Sequence, residues 1–341
     1  MTVVSTPTAE LTTVADDEAV VHDGHDARTY TDLAPDTEHE IEGFAFRTLP
    51  RWGERLATVA TVNDVHFGEE VCGLMDGLPD GPVFRVEPGA EPYPELMNRG
   101  AITEITDLAP DAVLVKGDLT CDGLDDEYAA FLAAYGTAFG DRLHHVRGNH
   151  DAYRHQTYAP EGPQRVDVDG LTIALLDTTI PGHTSGRMPA EQLEWLEDLA
   201  NDADRPILAL GHHHAWNPAA RARPDDYFGI HPDDTDRFIA AVARQPNIIG
   251  YAAGHTHRNR VRHFDDTGER PWAEVACVKD YPGTWAEYRV FDGGVLQVHR
   301  RISTPEALAW TEQTRHMFAG LYAGYAFGDL ADRCFAMPAP A

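Results

Sequence analysis

The chain is short of positive charge, of cysteine and of long apolar runs, and each shortage excludes something. Of 341 residues, 27 are Lys or Arg against 56 Asp or Glu, a formal net charge of −29. Nucleic-acid binding runs on basic surface, and a field of this sign repels polyanions. Routine nucleic-acid binding is therefore not expected, and the plain reading of the acid is a well-solvated surface. No apolar run reaches about 18 residues, so no transmembrane helix is expected. The N-terminal MTVVSTPTAELTTVADDEAVV lacks both a basic segment and an apolar block, and does not read as a secretory signal. Cys72, Cys121, Cys277 and Cys334 are scattered and form no close pair. They read as reduced thiols of a cytoplasmic protein.

A chain of this length predicts one large domain, alone or with a smaller appendage. Residues 1–55 are acidic and rich in Thr and Asp, with alternating stretches such as 38–46 (EHEIEGFAF) and turn signals at Asp23-Gly24 and Pro35-Asp36. They predict a small N-terminal β appendage with a partly disordered start, similar to the last strands of a fibronectin-like sandwich. From Leu56 onward, apolar runs alternate with helical patterns. Runs at 56–62, 111–117, 142–148, 171–177, 206–211, 247–254, 273–278, 287–291 and 295–299 predict strands. Patterns at 94–109, 125–136, 189–200 and 233–245 predict helices. The alternation implies an α/β layered sheet over 56–304. Residues 69–95, rich in Gly, Pro and acid, predict a long excursion near a site, with the character of a lid. Residues 305–335 carry apolar and aromatic residues at helical spacing. They predict a C-terminal helical extension (305–341) that packs on the core or forms a homodimer contact, ending in a loose tail, MPAPA.

Five of the predicted strands end in polar clusters. These are Asn63-Asp64-Val65-His66, Gly117-Asp118, Gly148-Asn149-His150-Asp151, Gly211-His212-His213-His214 and Gly254-His255-Thr256-His257. In α/β sheets, ligands gather at the carboxyl ends of strands. Convergence there would bring two Asp, one Asn and several His into one cleft. Imidazole with carboxylate favours Mn, Fe, Co, Ni or Zn over Ca or Mg. A carboxylate can bridge two ions, and Asp118 is the natural bridge because the glycine before it leaves room for close approach. In Asp64-Val65-His66 and His255-Thr256-His257 the candidate ligands are two apart. In extended backbone that puts both on one side of the chain. Each motif alone is weak, since a lone buried His is usually structural and Gly-Asp pairs are common in turns. All five in order, each after a strand, are hard to obtain by chance.

In this order, D-x-H, G-D, G-N-H-D, G-H-H and G-H-T-H resemble the motifs of the calcineurin-like metallophosphoesterase superfamily, across about residues 56–300. The resemblance implies a four-layer αββα sandwich and two divalent ions, Mn, Fe or Zn. It implies one ion on Asp64, His66, Asp118 and His257, and a second on Asp118, Asn149, His212 and His255. His150 would stabilise phosphate or donate a proton, with Asp151 orienting it. The family form G-H-x-P makes His212 the ligand and His213 the fallback, with His214 in the usual proline position. Asp118 begins G-D-L-x-x-x-G, Leu176-Asp177-Thr178-Thr179 follows, and Gly186 precedes Gln192-Leu193-x-Trp195-Leu196. These forms look most like class III cyclic-nucleotide phosphodiesterases and bacterial glycerophosphodiesterases. Purple acid phosphatases carry a metal-binding Tyr three residues after the bridging Asp, where this chain has Cys121. A ferric–tyrosinate centre is therefore not expected, and Cys121 reads as a packed thiol.

The implied reaction is attack of a metal-bridging hydroxide on a small phosphodiester, of cyclic-nucleotide or glycerophosphodiester type. Two divalent ions, two carboxylates and one hydroxide leave an inner shell of about +1, which suits a monoanionic diester. A dianionic monoester would call for extra cations, and the motif loops offer Arg147, Arg154 and Arg258. The alternatives are a phosphomonoesterase, a nuclease of the same superfamily, and a non-catalytic metal-binding protein. Acidic charge speaks against the nuclease, and the full ligand set against the non-catalytic protein. His144 and His145 read as packing or surface groups. His183 and Arg187 lie in a Gly-rich loop that the family places near the mouth. Tyr281 and Trp285 read as core packing, with a pocket wall as the other option.

Overall fold

The computed structural model describes residues 9–75, 77–78 and 81–340. The first eight residues, for which the sequence predicts partial disorder, lie outside that range. Strands β1 (Glu10–Val14), β2 (Ala19–Asp23) and β3 (Asp26–Tyr30) form an antiparallel sheet, and β4 (Glu38–Ile41) and β5 (Phe44–Arg47) form a hairpin. The Asp-Gly signal at 23–24 closes the β2–β3 turn, with Gly24 at φ 62°.

The body opens with β6 (Arg55–Val62), the short pair β7 (Val71–Cys72) and β8 (Phe84–Arg85), α1 (Tyr93–Leu108) and β9 (Ala112–Lys116). Next, α2 (Asp125–Phe131) runs through a π-helical turn into α3 (Thr137–Phe139), followed by β10 (Leu143–Val146) and the single turn α4 (Asn149–Ala152). Then come β11 (Gln164–Val168), β12 (Leu171–Leu176), α5 (Ala190–Asp202), β13 (Ile207–Gly211), α6 (Pro232–Arg244) and β14 (Ile248–Ala253). Strands β15 (Arg260–Arg262), β16 (Trp272–Glu274), β17 (Thr284–Phe291) and β18 (Gly294–Arg301) complete it. The chain closes with α7 (Pro305–Thr314), α8 (Tyr322–Ala326), α9 (Leu330–Arg333) and β19 (Phe335–Pro338).

Two six-stranded sheets, ordered β10-β9-β6-β17-β18-β19 and β11-β12-β13-β14-β16-β15, pack face to face. Ala57, Leu114 and Tyr288 of the first meet Ile173, Leu210 and Ala252 of the second in one buried cluster. Helices α1 and α7 cover the outer face of the first sheet, through Met97, Ile105 and Ala307 on Ala60, Val62 and Val113. Helices α5 and α6 cover the second, through Leu196 and Phe238 on Ala209 and Tyr251. The result is the αββα sandwich. Strands β9 and β13 are buried along their whole length, which explains why AVLVK and ILALG show no polar alternation. Strands β6, β9 and β10 run parallel, as do β12, β13 and β14. Their carboxyl ends therefore share one edge of each sheet.

The C-terminus corrects one expectation. The tail read as loose is a strand, in which Met337 and Pro338 belong to β19 and Met337 pairs with Val295 of β18. Met337 is buried in the inter-sheet core, and Pro338 sits on an edge strand, where its missing N–H costs little. The excursion at 69–95, of which residues 76, 79 and 80 lie outside the described range, is tied to the C-terminal extension. Cys72 and Tyr93 pack with Met317, Phe318 and Tyr322.

The N-terminal sheet is joined to the body by apolar contacts, such as Ala15 on Phe291, Leu296 and Val298, and by a cluster of ion pairs. Arg289 contacts Asp16 at 2.5 Å, Asp17 at 2.7 Å and Glu287 at 2.8 Å, and Arg300 contacts Glu18 and Glu287. The chain's two lysines, Lys116 and Lys279, are both buried. All four cysteines are free thiols, and no helix among the described residues is long and apolar enough to cross a membrane.

Candidate metal centre

Seven candidate ligands arrive at one cleft from five strand ends. Asp118 Oδ2 lies 3.2 Å from His212 Nε2 and 3.5 Å from His66 Nε2. His257 Nε2 is 3.3 Å from Asp64 Oδ1, and Asn149 Oδ1 is 3.0 Å from His212 Nε2. Donor atoms cluster within 4.8 Å of one another in the sets Asp64–His66–His257, Asp64–Asp118–His212 and His212–His213–His255. Asp118 touches both halves of the cluster.

The local backbone departs from the extended form inferred from the two-apart spacing. Asp64, His66, Asp118, His255 and His257 all have positive φ, between 46° and 69°. Strands β6 and β14 end just before these residues, and a left-handed residue is what turns each side chain back into the cleft. Such backbone costs about 1–3 kcal/mol per non-glycine residue and concentrates at functional sites. Hydrogen bonds hold it in place. Asp64 N donates to Gly117 O at 3.1 Å, and Val65 N and His66 N donate to Asp118 O at 3.0 Å. His255 N donates to Asp64 Oδ2 at 3.0 Å. Glycine is needed at two neighbouring positions. A Cβ on Gly117 would sit 2.6 Å from His212 Nδ1, and one on Gly148 would strike Asp118.

The triple histidine divides cleanly. His212 faces the cluster, with Nδ1 on Lys116 O at 2.9 Å. Both nitrogens of His213 are taken, by Thr178 Oγ1 at 2.8 Å and Thr184 O at 3.1 Å. His255 Nε2 donates to Phe228 O at 2.8 Å, which leaves Nδ1 for the cleft.

His150 stands beside the cluster, its ring centroid 4.5 Å from that of His66, but Asp151 does not orient it. Its Nδ1 donates instead to the carbonyl of Cys121 at 2.5 Å. The Asp151 carboxylate accepts from Leu119 N, Thr120 N, Thr120 Oγ1 and Gly148 N at 2.7–3.1 Å. It is a buckle between the loops that carry Asp118 and Asn149. Two of the three motif-loop arginines are engaged by acid, and the third is exposed. Arg147 pairs with Asp177 at 2.8 Å, Arg258 with Glu274 at 2.8 Å, and Arg154 lies 4.0 Å from Asp122. Tyr281 and Trp285 are buried and hydrogen-bonded to Glu10 and Glu104, as core residues.

The family profile of calcineurin-like phosphoesterases matches residues 57–259, well over half of the chain. The chain belongs to this family. It is similar to a cAMP/cGMP dual specificity phosphodiesterase of Mycobacterium tuberculosis, 38% identical over 163 residues, covering 44% of this chain and 49% of that one. It is also similar to a glycerophosphodiester phosphodiesterase of Enterobacter lignolyticus, 31% identical over 160 residues, covering 43% and 56%. The chain thus spans about half the length of the curated relatives it matches. Among solved structures, a dimetal phosphatase from Danio rerio superposes with TM-score 0.58 at 13% identity, over 73% of this chain and 97% of that one. That likeness shows the fold alone.

The residues of this calcineurin-like cleft fit a cation on their own chemistry. Both ring nitrogens of His66 are buried and lack a well-aligned hydrogen bond, facing only the carboxylates of Glu69 at 3.3 Å and Asp118 at 3.5 Å, an expensive arrangement unless something binds them. Burial alone would raise the carboxyls of Asp64 and Asp118, yet neighbouring histidines hold both well below the ordinary range. Conversely, burial works against charge on His212, but Asp118 and then Asp64 raise it to about 9. The carboxylate pair draws positive charge, and the same pull acts on a divalent ion.

Supporting residues escaped the sequence reading. Glu69 Oε2 lies 3.3 Å from His66 Nδ1 and is itself held by Lys279 at 2.8 Å. A carboxylate behind a ligating imidazole fixes its orientation and raises its basicity. Asn149 Nδ2 donates to Tyr153 Oη at 2.7 Å, which aims Oδ1 at the cleft. Asn63 Nδ2 does the same service for Asp64 at 2.6 Å. Glu69 three residues after His66, and Tyr153 four after Asn149, were findable from spacing. Lys279 had no local signal.

Proposed function

We propose that this chain hydrolyses small phosphodiesters with two divalent ions, Mn, Fe or Zn. Asp118 would bridge the ions, Asp64, His66 and His257 would complete one site, and Asn149, His212 and His255 the other. The observation that carries this reading is the position of the Asp118 carboxylate between His66 and His212. When bound, the ions supply Lewis acidity and lower the pKa of water. The chain's own groups do the rest. Cys121 O fixes the His150 ring through Nδ1, leaving Nε2 free to exchange a proton at the leaving oxygen. Burial pushes the His150 imidazolium down, partly offset by Asp118, and a phosphoryl anion alongside would draw the proton back.

Diester over monoester is supported by the arginines. A dianionic monoester asks for cations beyond the ions, and Arg147 and Arg258 are each engaged by acid, which leaves only the exposed Arg154 among the three. The relatives named for cyclic nucleotides and glycerophosphodiesters support the same class. The test is to load the protein with Mn and compare bis-p-nitrophenyl phosphate with p-nitrophenyl phosphate. Diester turnover should exceed monoester turnover, and D118N should lose it while keeping wild-type circular dichroism. A clear monoester preference would sink the reading.

A further inference from the structure

One large apolar side chain stands at the rim of the centre. Phe228 is 45% exposed, yet it is not on a loose loop. Its own carbonyl holds His255 Nε2, and its ring centroid lies 5.5 Å from that of His255 and 4.8 Å from that of His214. On one side, Tyr227 Oη pairs with His214 Nε2 at 2.6 Å. On the other, Gly229 O accepts from Gly186 N at 2.9 Å, and Ile230 N donates to His214 O at 2.9 Å. A Cβ on Gly229 would lie 2.5 Å from His214 O, so the backbone here is pressed against its support. A scattered surface Phe needs no explanation. An aromatic ring on an anchored backbone, half in water, beside a candidate ligand invites one.

We propose that Phe228 is the platform on which a planar organic group of the substrate stacks, so that the centre selects nucleotide-type diesters over aliphatic ones. This rests on the phosphodiesterase reading above. A phosphate held at the cleft leaves its ester substituents to extend over the rim. On the His255 side, the rim is Phe228. A nucleobase or nitrophenyl ring gains from stacking on it, whereas a glycerol or ethanolamine substituent has no π face to offer. Base–aromatic stacking is sequence-tolerant, so one ring serves adenine and guanine alike. The platform adds binding without touching the reacting bond, and its effect belongs in KM rather than kcat.

The test compares wild type, F228A and F228W, each Mn-loaded, on cyclic AMP, bis-p-nitrophenyl phosphate and glycerophosphoethanolamine. Stacking of this kind changes affinity by about five-fold or more per ring. F228A should raise KM for the two ring-bearing diesters by that factor with kcat held, and leave glycerophosphoethanolamine within about two-fold. F228W should restore the ring-bearing substrates. Calorimetric binding of AMP and of glycerol phosphate gives a readout independent of turnover, in which only AMP should weaken in F228A. Equal changes on all ligands, or none, would overturn the platform. Wild-type protein that turns over no diester would overturn the phosphodiesterase reading instead, while the AMP contrast would still decide the role of Phe228.

Discussion

Asp118 and His212 form the residue pair on which the centre turns. The carboxylate reaches both halves of the cluster, and this imidazole lies closer to it than that of His66, at 3.2 Å against 3.5 Å. His213, one residue on, has both nitrogens spent inside the protein. The two histidines should therefore separate by experiment. H212A should lower metal affinity by about 100-fold or more, above the 10–100-fold typical of outer-shell losses, while H213Q should keep both ions. Metal content by mass spectrometry checks this, and full occupancy in H212A would refute the assignment. At this scale the sequence was a good guide to which side chains the structure brings together, because each follows the end of a strand. It was a poor guide to their backbone. Left-handed residues such as Asp64 and His66 depend on loop-to-loop hydrogen bonds that have no local signature. It also mistook Asp151, since a G-N-H-D string cannot say whether the acid serves the ring beside it or the amides opposite.

Elements were legible where burial was two-sided and obscure where pairing was remote. The runs that became β9 and β13 declared themselves by continuous apolar character. Strand β11 could have been found, because Val166 and Val168 alternate and Asp169-Gly170 supplies the hairpin turn into β12. Strand β19 could not, since FAMP has no periodicity and gains its place only from the edge of β18. The seam under the N-terminal sheet makes a prediction of its own. Burial opposes ionisation of Glu287, but Arg300 and Arg289 hold its carboxyl down at about 2, below the ordinary 4.5. A depressed carboxyl stabilises the fold above its unfolded pKa, and that gain is lost as pH falls from about 4.5 toward 2. Linkage puts the gain on the order of 3 kcal/mol. Glu287→Gln should flatten the fall of melting temperature over that window, and an unchanged acid limb would rule the seam out as its source.

For the whole molecule, the dominant quantity is the charge of −29. Acid at this density repels itself and opposes the compact state. Salt shortens the reach of that repulsion, from about 10 Å at 0.1 M to about 3 Å at 1 M. The ion pairs that salt would also weaken, around Arg289 and Glu287, are buried and screened less. Melting temperature should therefore rise between these salt concentrations, and a flat or falling curve in calorimetry would show that local pairs outweigh the global field.

Lys116 and Lys279, both inside the fold, have a practical consequence. Reagents and enzymes that seek a primary amine, whether an ester dye, an aldehyde cross-linker or an acetyltransferase, meet no lysine on the native surface. Side chains would take such labels only as the protein opens. Lysine reactivity of this chain is therefore a gauge of unfolding, and immobilisation that preserves the centre is better made through its plentiful carboxylates.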